Sequence, residues 1–239
     1  MASAKNLMTL HAHEETLRAE SLAIIDKSAT LKEHFGGVHE AMNIVYGLTH
    51  DHPHRSDDEL TLQMLGIRLF NASAASVKLA LSGYYQIAFA QLRDFVETYF
   101  LLDYLGTNKD KIAIWKVADK RQLKRMFGPN EIRDALDARD GFKTKMRGDV
   151  YGRLSAYASH ATYQGFKLTT KEDMDEIGPF VTETHLTAWL EEIMKLLGHG
   201  ALVYACHFEG VHPNLEAVKK RYFDMMEIWR LKYFPKPAE

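Results

Sequence analysis

Apolar residues recur at three- and four-residue intervals along nearly the whole chain, and the alternating runs that half-buried strands need do not occur. This pattern predicts an all-α protein, an antiparallel helical bundle. Leu7, Leu10, Leu17, Leu22, Ile25 and Phe35 outline a first long helix that the Gly36-Gly37 pair should end, with a loop after it. A second helix is expected over 58–81, opened by Asp57, Asp58 and Glu59, acids that favour the positive end of a helix dipole. Its Gly66, Ala72, Ala74, Ala75 and Ala80 are small enough to admit a close neighbour. Gly83 interrupts the pattern, and the most apolar helix of the chain follows over 84–105, ending at Gly106. These two helices are expected to form a central apolar hairpin.

Shorter helices follow over 109–127, 131–139 and 149–163, separated by Gly128-Pro129-Asn130 and Gly141. Two longer ones close the chain. One presents Leu186, Trp189, Leu190, Ile193 and Leu197 on one face and continues past Gly198 and Gly200 through Leu202 and Tyr204. The other starts at Pro213 and uses Leu215, Val218, Tyr222, Met225 and Trp229.

Composition narrows the class. With 239 residues, 46% hydrophobic, and only 6 prolines to interrupt them, the chain can bury a sizeable core as one helical domain over 1–239. A disordered chain is excluded. The lone Cys206 has no partner for an internal disulfide, which fits a reducing compartment. The first 25 residues include His11, His13, Glu14, Glu15, Arg18 and Glu20, so no secretory apolar core is present, and no stretch reaches the roughly 18 apolar residues of a membrane span. A cytoplasmic protein without membrane partners is expected. Charge is uneven: residues 109–153 hold 13 Lys or Arg against 7 Asp or Glu, a local +6 in a chain of net −2. That excess suits a phosphate-bearing ligand, although a solvated helical surface is its commoner cause.

The most informative stretch is Tyr151-Gly152-Arg153-Leu154-Ser155-Ala156-Tyr157-Ala158-Ser159-His160. On a continuous helix, at about 100° per residue, Arg153 and His160 would differ by roughly 20° and share a face, with Asp149, Tyr157 and Gln164 near the same stripe. A histidine can move a proton near neutral pH and a guanidinium can stabilise charge building on phosphate oxygens, without a metal. The alternative is structural, with Arg153 paired to a carboxylate and His160 hydrogen-bonded within a helical core. A second polar stripe, Gln86, Arg93 and Glu97, lies on the apolar helix; there Glu97 either orients Arg93, accepts from the His160 helix, or forms a surface ion pair. His50, His52 and His54, with His11 and His13, have the alternation that an extended chain uses to chelate a metal, but no diagnostic spacing accompanies them, and a hydrated loop is the expectation. No cofactor or metal is expected. Gly-rich phosphate loops, dinucleotide fingerprints, nucleophile elbows and zinc-finger spacings do not occur, and Cys206 reads as core.

The Arg153-to-His160 spacing on a late helix resembles the signature of the HEPN superfamily, in which an Arg is followed by about four to six residues and then His. Tyr151-x-x-Leu154-Ser155 before His160, and Leu92-Arg93-x-x-x-Glu97 in the apolar helix, are similar in particular to a HEPN-like branch of prokaryotic helical proteins. The likeness covers residues 58–164, the expected HEPN-like core. It implies a metal-independent RNA endonuclease, a toxin or anti-phage effector acting as a homodimer under a regulatory protein partner. His160 would transfer the proton and Arg153 stabilise the phosphate, with Arg93, Glu97, Asp149, Ser155 and Tyr157 supporting them. The same resemblance also admits a non-catalytic module binding RNA, nucleotide or protein. Leu154 stands where active members commonly carry Asn, Asp or His.

Overall fold

Two long helices, α3 (Asp57–Leu81) and α4 (Tyr85–Thr107), form the expected hairpin at the centre of the protein. The computed structural model describes residues 7–235. Before the hairpin come α1 (Leu7–Lys27) and α2 (Ala29–Tyr46); after it come α5 (Asp110–Val117), α6 (Lys120–Met126), α7 (Pro129–Arg139) and α8 (Met146–Leu154). A small antiparallel pair, β1 (Thr170–Lys171) and β2 (Met174–Asp175), precedes α9 (Glu183–Cys206) and α10 (Pro213–Tyr233). Described residues are thus helical almost throughout, as the all-α reading requires.

Local chemistry accounts for the hairpin. Ser56 caps α3 by accepting a hydrogen bond from the Glu59 backbone at 3.2 Å. Gly83 makes the turn at φ +87°, and a Cβ there would lie 2.5 Å from the Phe180 carbonyl oxygen, so backbone angle and space both demand glycine. The other side of the core is α9, packed against α2 and α4. Its Trp189 is fully buried and donates to Ser76 Oγ of α3 at 3.0 Å, so the largest core side chain has its polar atom satisfied. Gly200 lets α9 approach α4, because a Cβ there would sit 2.7 Å from the Phe95 ring. By length and composition α3 could cross a membrane, but in this fold it is a core helix.

Several boundaries differ from the sequence expectation. The first helix ends at Lys27, and Ser28, in extended backbone, caps a new helix by accepting from Leu31 N at 3.3 Å. Gly36 and Gly37 are inside α2, not at its end. A Cβ on Gly37 would lie 2.6 Å from Met194 of α9, so that glycine serves helix contact and no loop follows it. The 109–127 stretch splits in two at Asp119, which forms a capping box with Gln122. The 149–163 helix stops at Leu154, passes through a π turn over Ser155–Ser159 and resumes as a 3₁₀ turn over Tyr163–Leu168. The last two helices run as expected, α9 passing through both glycines and α10 opening on Pro213.

Candidate functional site

The C-terminal half of α8 is clamped onto α4. Arg93 donates from Nε to Ser155 Oγ at 3.0 Å and from Nη2 to Glu97 Oε1 at 3.1 Å, and it also bonds the Tyr151 hydroxyl. Tyr151 in turn donates to Glu97 Oε1 at 2.6 Å. Two guanidinium carbons lie over the Tyr151 ring, that of Arg93 at 4.8 Å and that of Arg133 at 4.0 Å from its centre. The Arg93–Glu97 stripe is therefore joined to α8 and its following turn through Tyr151 and Ser155, with Glu97 accepting from the helix that leads to His160, whereas the Arg153–His160 stripe takes no part in the network. Arg93, Glu97 and Ser155 hold the segment in place through bonds to one another and to Tyr151.

The clamp determines what α8 presents. Leu154 is buried in the core at 5% exposure, so the position after the arginine points away from solvent. Arg153 is exposed and borders a shallow groove of about 180 Å³ with Phe89, Tyr157, Leu168 and Glu192. His160 is exposed as well. Neither side chain makes a hydrogen bond or ion pair among the described residues, which removes the structural alternative in which Arg153 is paired and His160 is buried.

Their relative placement differs from the expected shared stripe. A π turn closes hydrogen bonds five residues apart and rotates less per residue than an α-helix, and here His160 N donates to Ser155 O at 3.0 Å. His160 itself is in extended backbone, φ −108° and ψ 145°, and is not among the residues lining the Arg153 groove. Of the supporting residues, Tyr157 lines that groove, whereas Asp149, like Gln164, is exposed with no side-chain hydrogen bond among the described residues.

The histidine-rich segment is the exposed loop expected over 53–56, but His52 is drawn out of it into the core. A second π turn spans Gly47–Asp51, and His52 N donates to Gly47 O at 3.1 Å. His52 is buried, its Nε2 lying 3.2 Å from Glu59 Oε1, and Arg55 Nη2 donates to the same oxygen at 3.0 Å. Burial raises the Glu59 pKa, but the bonds from Arg55 and His52 outweigh it and bring the carboxyl down to about 2. His50 pairs with Asp51 at 2.8 Å, and among the described residues no group of three His, Cys, Asp or Glu could hold a metal.

Cys206, expected in the core, is exposed at the rim of a polar cleft of about 410 Å³ shared with Arg55, Lys109 and His207; partial desolvation raises its thiol pKa. In the basic middle of the chain, Arg139 is paired with Asp103 and Asp140, and Arg147 with Asp137 and Asp140. Lys120, Arg121, Lys124 and Arg125 of α6 are exposed and have no ion pair among the described residues, so free positive charge gathers on that short helix. No protein-family model, curated protein or solved structure matches the chain.

Proposed function

We propose that the protein is a metal-independent RNA endonuclease of the HEPN type, cytoplasmic and working as a homodimer. One observation carries the reading: Arg153 and His160 are both exposed and unpaired on a segment that Arg93, Tyr151 and Glu97 lock to the core. Ion pairing or burial would have spent either group.

The chemistry follows from what each group can do. His160 takes the proton from the ribose 2′-hydroxyl, the 2′-oxygen attacks the adjacent phosphorus, and the bond to the 5′-oxygen breaks, leaving a cyclic phosphate and a 5′-hydroxyl. Arg153 stabilises the charge on the phosphate oxygens as the bond order shifts. A second copy supplies a second imidazole for the leaving oxygen, which gives the dimer a chemical purpose. The unpaired cations of α6 attract the RNA backbone. A regulatory protein that covers Arg153 would silence the site, as a toxin or anti-phage effector requires.

The test is cleavage of single-stranded RNA by the purified full chain in excess chelator. Cleavage that disappears in Arg153→Ala and in His160→Ala is expected, each variant keeping the parent thermal midpoint because both side chains are free. Undiminished cleavage in both variants would refute the assignment. A second reading, a non-catalytic module that binds RNA, nucleotide or protein, is favoured by one specific observation: the groove beside Arg153 does not include His160. It predicts retention of RNA that Arg153→Ala weakens and His160→Ala leaves unchanged, with no product formed.

A further inference from the structure

A second cleft, of about 320 Å³, opens between the α3–α4 hairpin and the α5–α7 segment. Trp115, Phe100 and Phe127 supply flat apolar walls; Arg68, Arg133 and Glu97 supply charge. Arg133 is the unusual member. It is only 7% exposed, yet no carboxylate lies within ion-pairing distance of it among the described residues. Its Nη2 donates to Asn130 Oδ1, its plane lies over the Tyr151 ring, and its Nη1 has no acceptor among the described residues. Arg55, Arg68, Arg93, Arg139 and Arg147 each have a carboxylate partner.

An uncompensated buried cation is costly, and a fold keeps one where something else brings the counter-charge. The local balance says how much is needed. Arg68 is paired with Asp94 and Arg93 with Glu97 at 3.1 Å, which leaves the single positive charge of Arg133. The charge of Glu97 is offset by Arg93, and its Oε1 is held by Arg93 and the Tyr151 hydroxyl. The N-terminus of α7 borders the cleft at Pro129, but Glu131 of its first turn folds back against Gly128 and already meets the positive end of the helix, so the surplus charge facing the cleft is that of Arg133 alone.

We infer that this cleft is a small-molecule site for an aromatic monocarboxylate. One negative charge matches the one surplus cation, and a carboxylate fits the Nε–Nη2 fork of the guanidinium, the Nη1 side being sealed from the cleft. Trp115, Phe100 and Phe127 give a single ring system an aromatic lining, in a volume at the lower end of the roughly 300–1,000 Å³ of ligand pockets. This inference is independent of the nuclease reading, since neither Arg153 nor His160 reaches the cleft.

The experiment is calorimetric titration and thermal melting of the full chain with benzoate, phenylacetate and 1-naphthoate, with benzamide and acetate as charge-free and ring-free comparators. Saturable binding of at least one aromatic carboxylate is expected, with both comparators weaker by about tenfold or more, the usual worth of a charged hydrogen bond. Arg133→Met should weaken that binding by about tenfold or more while the unliganded melting temperature holds or rises, because it removes an unpaired buried charge; an arginine with a merely structural role would instead lower the melting temperature. Trp115→Ala should weaken binding with every charge in place, and it decides the matter if Arg133→Met does not fold. Failure of all three carboxylates to saturate up to about 10 mM, or binding unchanged in Trp115→Ala or in a folded Arg133→Met, would overturn the inference.

Discussion

The bond from Tyr151 to Glu97 is the hinge of the clamp, and a double-mutant cycle measures it. Tyr151→Phe removes one hydroxyl that donates to Glu97 at 2.6 Å and accepts from Arg93, while leaving the ring under both guanidiniums. Hydrogen bonds to charged groups are worth about 1.5–3 kcal/mol when desolvated. Glu97 and Arg93 keep 28% and 27% of their side-chain exposure, so water softens the loss, and a cost of about 1–2 kcal/mol is expected. Glu97→Gln keeps an acceptor but loses the charge, at about 1 kcal/mol. The double variant should cost less than the sum of the singles by about 1 kcal/mol, since the bond can be lost only once. Urea unfolding of the four proteins gives the cycle. Amide exchange adds a local reading: residues 146–160 should open faster in Tyr151→Phe while α9 remains protected. Additivity within about 0.3 kcal/mol would refute the proposition that this bond holds α8 to α4.

Acid should expose the Glu59 hub. Its folded-state pKa of about 2 lies below the ordinary 4.5, so its stabilisation is complete above pH 4.5 and disappears as pH falls toward 2. The shift corresponds to roughly 3 kcal/mol, and Glu59→Gln should flatten that limb of the stability–pH curve; an unchanged slope would place the acid sensitivity elsewhere. Two glycines should respond oppositely to alanine. A Cβ on Gly66 would lie 2.3 Å from Tyr204 Oη and 2.5 Å from Thr49 Oγ1, atoms that share a 2.8 Å hydrogen bond. Overpacking there outweighs the gain in helix propensity, and Gly66→Ala should lose about 1–2 kcal/mol. Gly36 has nothing within 4 Å of such a Cβ, and Gly36→Ala should gain about 0.5–1 kcal/mol; equal denaturation midpoints for the two variants would contradict the packing account.

The hairpin and the last two helices were legible because their signals are periodic and long. Leu186 to Tyr204 keep an inward face across both glycines, and burial of that face determines the helix more strongly than glycine's propensity does. Gly36-Gly37 misled for the converse reason: glycine ends a helix or admits a neighbour, and the neighbour here, Met194, lies more than 150 positions away. The split at 119 had a local signal in Asp119-x-x-Gln122, a capping box whose glutamine partner is less familiar than glutamate. Arg93, Glu97 and Tyr151 were each visible as polar positions on helices, but their convergence depends on how α8 crosses α4, which no spacing within one helix reports. Arg133 and Trp115 carry no sequence signal of their cleft, because it is formed by elements far apart in the chain.

The turn over Ser155–Ser159 holds one residue more than an α-helical turn would, and it lies between two separate anchors, Ser155 Oγ on Arg93 and the Lys167 carbonyl beside the His185 ring. Shortening the chain by a single residue within 156–158 would let that turn relax into ordinary α geometry without disturbing the Tyr151 anchor. Variable spacing between a basic residue and a downstream imidazole is therefore something a helix can absorb as a local change of pitch. The other widened turn uses the identical device before His52, whose imidazole is committed to Glu59. One backbone solution thus serves as fixed masonry before His52 and as an open hand before His160.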